Sequence, residues 1–144
     1  FQQETFMATH GQGALLNRIP IEASGATNLR QSLIATGFPY GKDEIPILIR
    51  RLERVLTQCR DIRRIGSAAV DICWVACGRL DGYYESVSPW DFAAARLIAQ
   101  EAGATCGHFS PVPDDYPDDL WGQDLIITAP GIYDSLKPLL PERA

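Results

Sequence analysis

The sequence has no apolar run long enough to span a bilayer, which excludes a membrane helix as its organising element. Positive charge is in short supply. The 13 Lys and Arg against 18 Asp and Glu leave a formal net charge of −5, which argues against a general grip on nucleic acid. The one local basic cluster, Arg60, Arg63 and Arg64, reads as a solvated or ion-paired surface. Cysteine is sparse: the four, at positions 59, 73, 77 and 106, lack the paired spacing of a zinc site. Cys73 and Cys77 lie one helical turn apart in an apolar run, so buried free thiols in a reducing compartment are expected. The opening residues, FQQETFMATHGQG, have no charged segment followed by an apolar one and are not read as a signal peptide. Gly11-x-Gly13 lacks the third glycine and the following helix of a nucleotide loop. His10 and His108 have no partner pattern and read as ordinary surface or hydrogen-bonded histidines. No internal repeat or low-complexity tract occurs.

What is present is an ordinary globular composition, 46 % apolar and 22 % charged over 144 residues. A chain of this length buries about 70 % of its unfolded surface. One domain's worth of core is expected, in a soluble, cytoplasmic protein with no membrane partner and no nucleic-acid partner.

Residues 5–9 and 14–23 are β-leaning and are separated by Gly11-Gln12-Gly13, which suits a hairpin whose turn needs positive φ. Pro20 and Ser24-Gly25-Ala26 loosen the chain before residues 32–36, a short apolar run read as a buried strand. Asp43 and Glu44 open a helix. Its stripe of Ile45, Leu48, Ile49, Leu52, Val55 and Leu56 should face inward, with Arg50, Arg51, Glu53 and Arg54 outward. Residues 61–65 form a strand, and Gly66-Ser67 starts an apolar helix through Ala76. Such a strand, turn and helix N-terminus can receive an anion or hydroxyl, although Ser67 as a cap and Gly66 as a tight turn explain the same residues. The proline-rich, acidic stretch 111–119 reads as a solvated loop rather than a cation site. Residues 125–128 form a strand, and 130–140 a closing helix. Alternating strands and helices after Gln31 imply an α/β layer structure, whose strand-end loops bind ligands.

Residues 78–104 say most about function. Asp81-Gly82 marks a turn, Tyr83-Tyr84-Glu85 a short strand, and Ser88-Pro89-Trp90-Asp91 a helix start. Ser88 is a good N-cap, Pro89 fits the first helical position, and Asp91 sits at the capping-box position. The helix through Ala102 is apolar on most sides, interrupted by Arg96, Gln100 and Glu101, and Gly103 stops it. Trp90, beside the cap, reads as a packing anchor. Asp91 at the buried end of this helix, with Glu85 at the exit of the preceding strand, can hold a hard cation or polyol hydroxyls.

The order Gly78-Arg79-Leu80-Asp81-Gly82-Tyr83-Tyr84-Glu85, then Trp90-Asp91-Phe92-Ala93-Ala94-Ala95 and Glu101-Ala102-Gly103, resembles the C-terminal motif of the inositol monophosphatase family. The resemblance continues through residues 11–17, through Ile34-Ala35-Thr36-Gly37-Phe38-Pro39, and through Arg64-Ile65-Gly66-Ser67-Ala68-Ala69-Val70-Asp71. It covers most of the chain in the family's order. It implies a magnesium-dependent, lithium-sensitive sugar-phosphate phosphatase of layered αβαβα fold. Residues 1–28 would then be strands from the end of an N-terminal subdomain, and 29–144 a C-terminal α/β subdomain. By the same resemblance Asp91 binds Mg²⁺ and a substrate hydroxyl, Glu85 hydrogen-bonds the inositol or sugar ring, and Gly66, Ser67 and Ala68 bind that ring through main-chain groups. A small phosphorylated polyol and a second copy of the chain are the expected partners. The family's Gly-Glu-Glu loop and Asp-Pro-Ile/Leu-Asp-Gly-Thr/Ser motif, which supply most metal ligands and the water activation, are absent from the sequence. The expectation is therefore a C-terminal fragment, inactive alone. Alternatives are relatives acting on histidinol phosphate, fructose bisphosphate or adenosine bisphosphate, or a non-catalytic polyol-binding or interaction module.

Overall fold

A computed structural model describes residues 3–39 and 41–141. The chain begins as an antiparallel meander of β1 (Phe6–Ala8), β2 (Ala14–Leu16) and β3 (Ile19–Ile21), in that spatial order. Gly11 and Gly13 have φ of 74° and 79°, as the expected turn requires. The second β-leaning stretch, however, folds back on itself. Asn17 and Arg18 take φ of 50° and 69°, and Asn17 Oδ1 accepts the Thr5 N–H at 2.8 Å. Asparagine tolerates the left-handed region and can hydrogen-bond locally, so it makes a tight turn without glycine.

The larger sheet has the order β5-β4-β6-β8-β7. The strands β4 (Leu33–Thr36), β5 (Asp61–Arg63) and β6 (Gly82–Glu85) are parallel. β8 (Leu125–Thr128) runs antiparallel to β6 and to the edge strand β7 (Thr105–His108). The sequence Thr-Cys-Gly-His of β7 carries no alternation of its own; pairing with β8 makes it a strand. The helices are α1 (Ile45–Leu56), α2 (Ala68–Ala76), α3 (Pro89–Glu101) and a single turn, α4 (Tyr133–Leu136). The closing helix expected over 130–140 is broken into short 3₁₀ turns on either side of α4, with Pro130 and Pro138 removing amide donors.

Alternation along the central strands builds two cores. Ala35, Tyr83, Leu125 and Ile127 face α2 and α3 on one side of the sheet. Ile34, Tyr84 and Ile126 face Val55, Ile132 and Leu136 on the other. The meander packs on the first core through Phe6, Ala8 and Ile21. It is tied to α3 by Glu101, whose carboxylate accepts the Gly11 and Gly13 N–H groups at 2.8 and 2.9 Å. No helix among the described residues is long and apolar enough to cross a membrane.

Three sequence expectations are corrected. On α1, Val55 is buried but Ile45, Ile49 and Leu56 are exposed, while Arg51, expected outward, is only 2 % exposed. Arg51 is drawn in by Asp124 at 3.2 Å, by the Pro141 carbonyl at 2.9 Å and by the face of Phe109 at 4.6 Å. Trp90 is 85 % exposed, on the rim of the cavity formed by Gly66, Glu85 and Asp91, rather than a packed anchor. Arg96, an interruption in the apolar pattern of α3, is buried, and pairs with Asp118 of the acidic loop at 2.7 Å. His108 is buried too, between Asp118 and the Trp121 carbonyl. All four cysteines are free; burial pushes Cys73 up to about 11 and Cys106 up to about 12, so both remain thiols.

Candidate active site

The parallel strands β4, β5 and β6 deliver their C-terminal ends to one edge of the sheet, where open α/β sheets form ligand crevices. Gly37 follows β4, Arg64 to Ser67 follow β5, and Glu85 ends β6. With the start of α3 they line a cavity of about 320 Å³. Gly66, Ser67, Ala68, Glu85 and Asp91 are all on its wall.

Each is held by local chemistry. Gly66 has a φ of 94°, a conformation that glycine adopts without strain, and turns the chain from β5 into α2. The Arg64 guanidinium crosses the space beside it, with Nη1 2.8 Å from where a Cβ on Gly66 would stand. Ser67 is the N-cap of α2, but its side chain makes no capping hydrogen bond. The first-turn N–H groups of α2 are unbonded within a helix by geometry and carry its positive dipole end. At α3 the Ser88 N–H donates to Asp91 Oδ2 at 3.3 Å, part of a capping box. Asp91 is exposed, not at a buried helix end as the sequence pattern implied.

Glu85 is the most constrained member. The Tyr83 hydroxyl donates to its Oε2 at 2.7 Å. Gly37 leaves room for its carboxylate: a Cβ there would lie 2.2 Å from both Oε1 and Oε2. Burial raises the Glu85 pKa, against the hydrogen bond from Tyr83 and the charge of Arg64. Asp71, in the second turn of α2, is buried on the same wall, and burial with the nearby Glu85 charge pushes its carboxyl up to about 7. Gly37, Arg64, Asp71 and Tyr83 were not marked as site residues by sequence. For Asp71 a signal existed: it is the one charged residue inside the apolar run of α2.

The wall is acidic but is not a metal centre by itself. No group of three or more His, Cys, Asp or Glu among the described residues could hold a metal ion. Asp91 has one oxygen outside its capping bond and offers a single ligand, whereas Mg²⁺ takes near-octahedral oxygen coordination. What the cavity does offer is carboxylate acceptors opposite helix N–H donors, a set that matches a ring of hydroxyls.

A second hollow of about 600 Å³ lies on the α1 side of Glu85 and Asp91, bounded by Thr36, Arg51 and Gln123. Ser86, next to Glu85, donates nothing to the cavity wall's charge but bonds to Asp124, with Asp124 N–H to Ser86 Oγ at 2.9 Å. The buried Arg51–Asp124 pair thereby braces the chain immediately after Glu85.

The chain is similar in sequence and fold to known proteins. The Salmonella typhimurium protein named Nus factor SuhB is 43 % identical over 111 residues, covering 76 % of this chain and 42 % of that protein. The Synechocystis inositol-1-monophosphatase is 44 % identical over 121 residues, covering 80 % and 41 %. Among solved structures, inositol monophosphatase from Anabaena superposes with a TM-score of 0.84 at 35 % identity, covering 95 % of this chain and 54 % of that one. The chain thus spans about half the length of these relatives or less. The sequence profile of the inositol monophosphatase family matches residues 1–137. With a matching fold, a family profile over residues 1–137 and this identity, the chain belongs to the inositol monophosphatase family.

Proposed function

We propose that this chain forms the polyol-binding wall of a Mg²⁺-dependent phosphatase acting on phosphate monoesters of inositol or a related small sugar. The observation that carries the reading is the convergence of Glu85, Asp91 and the Gly66-Ser67-Ala68 turn on one cavity of about 320 Å³. Glu85 accepts ring hydroxyls, held by Tyr83 in the space that Gly37 leaves. The first-turn N–H groups of α2 donate to ring oxygens. Asp91 contributes one Mg²⁺ ligand and contacts a hydroxyl. Bound Mg²⁺ would supply water activation and neutralise phosphoryl charge; its remaining ligands lie outside this sequence, and the 144 residues alone are inactive. In this reading residues 1–28 belong to a neighbouring subdomain and 29–144 to the α/β subdomain. Four free thiols support a cytoplasmic location, and the exposed Ile45, Ile49 and Leu56 of α1 support self-association as a homodimer.

Calorimetry with myo-inositol tests the pocket: the chain should bind it, and Glu85→Gln should weaken binding by about tenfold, the effect of one hydrogen bond to a charged group. Absence of binding would overturn the reading. In a polypeptide of the relatives' length, phosphate release from inositol 1-phosphate should require Mg²⁺ and fall by roughly a hundredfold or more in Asp91→Asn; undiminished turnover removes the metal role. A second reading, a module that binds without turnover, is favoured by the name Nus factor carried by the Salmonella relative. Polyol binding indifferent to Mg²⁺, with no turnover in the longer polypeptide, would establish it instead.

A further inference from the structure

The side chain of Asp71 is unusual in its surroundings. It lies one turn inside α2, its own N–H bonded to the Ser67 carbonyl at 2.9 Å, among Ile72, Cys73, Val75 and Ala76, all of them buried. It is 1 % exposed, yet no ion pair holds it, and Oδ1 has no hydrogen-bond partner among the described residues. A buried carboxyl left without a donor costs the fold on the order of 1–3 kcal/mol or more, so as a structural element it is a poor choice where leucine or alanine would pack. It lines the cavity together with Glu85 and the Gly66-Ser67-Ala68 turn. The charged and titratable groups that act on it or share its cavity are Arg64 ahead of α2, Tyr83 and Glu85 on β6, and Asp91 on α3. The Tyr83 hydroxyl is already committed to Glu85, and Arg64 lies over Gly66. Among the described residues no donor reaches Oδ1.

We propose that Asp71 is a specificity-determining residue of this pocket: its orphan oxygen takes a hydrogen bond from a donor that arrives with the ligand, a ring hydroxyl or the water bridging to it. The assignment rests on the polyol reading of the cavity and deepens it. Asp71 and Glu85 face each other at this depth while the Arg64 cation stands at Gly66, so a neutral hydroxyl fits beside Asp71 better than an anion, and the ring enters towards Asp71 with its phosphate turned away. Selectivity follows because a ligand lacking that hydroxyl leaves Oδ1 unpaired, and sites with buried polar groups reject such analogues strongly.

The test uses the 144-residue chain, myo-inositol and its mono-deoxy analogues in Mg²⁺-containing buffer. Asp71→Leu should raise the Tm, because an unpartnered carboxyl is replaced by a packed side chain, while myo-inositol affinity drops by about tenfold or more. Asp71→Asn keeps an acceptor oxygen and should retain most of the affinity. One deoxy analogue should bind more weakly than myo-inositol to the wild type and equally to Asp71→Leu. A wild type that binds, a Glu85→Gln variant that binds weakly and Asp71 variants that bind normally would overturn the Asp71 assignment alone. So would a fall of Tm and affinity together in Asp71→Leu, which marks a structural role. Failure of the wild type to bind myo-inositol would overturn the polyol reading and this assignment with it.

Discussion

Replacing Asp71 by asparagine should flatten a decline in stability that the wild-type chain shows as pH rises from about 4 to about 7. The carboxyl is raised from its ordinary 3.8 to about 7 by burial first and by the Glu85 charge second, against a smaller pull from Arg64. A carboxyl whose pKa is raised on folding favours the native state while both states are protonated, and that contribution is lost as pH climbs through the native value. At about 1.4 kcal/mol for each tenfold change in proton affinity, the loss reaches at most about 4 kcal/mol. Glu85, also raised, adds in the same direction. Glu4, Asp61, Glu101 and Asp118 are lowered by hydrogen bonds and cations, and contribute stability that appears above their unfolded values. Those groups are common to both proteins and cancel in the difference. Urea unfolding at about pH 5 and about pH 8, with equal m-values, should therefore show the asparagine variant ahead by a margin that widens by roughly 2–3 kcal/mol from the lower pH to the higher. Parallel pH profiles, or a less stable variant at the higher pH, would refute the claim that Asp71 is a buried carboxyl whose Oδ1 has no partner among the described residues.

Gly37→Ala puts a Cβ 2.2 Å from both Glu85 oxygens, so Glu85 must move by about 1 Å and leave Tyr83, given ordinary carbon–oxygen contacts. Calorimetry should show myo-inositol affinity lower by about tenfold with Tm shifted by only a few degrees; an unchanged affinity would mean that Glu85 is not the acceptor. Arg51→Met removes the cation beside the buried Asp124 carboxylate, 5 % exposed on its side chain, which keeps the hydroxyls of Ser86 and Ser110, and should cost about 3 kcal/mol in urea unfolding. Adding Asp124→Asn removes the charge at a residue with a φ of 51°, which asparagine accepts, and should restore most of the loss; no recovery would mean that Arg51 acts through packing on Phe109 alone.

The sequence by itself determined the parts governed by neighbours along the chain. Ser88, Pro89 and Asp91 specify the start of α3 through capping chemistry, Gly66-Ser67 the start of α2, and Gly11 and Gly13 a turn with positive φ. Apolar runs at 32–36 and 125–128 marked two central strands, because strands buried on both faces read as continuous hydrophobic stretches, and the β-prone Tyr83-Tyr84-Glu85 marked the third. The order of motifs around Glu85 and Asp91 identified the family. Tertiary structure decided what depends on residues distant in the chain. β7 exists only because β8 pairs with it, and Arg51 is buried only because Asp124, 73 positions later by number, waits beneath α1. Ile45, Ile49 and Leu56 of the α1 stripe face outward because the helix touches the body along the edge that carries Arg51 and Val55. Periodicity marks which residues share a face but not which face meets the core. The depth of Asp71, the opening that Gly37 leaves for Glu85 and the exposure of Asp91 all belong to this second class, since burial and orphaned polar atoms arise only when separate elements close around a residue.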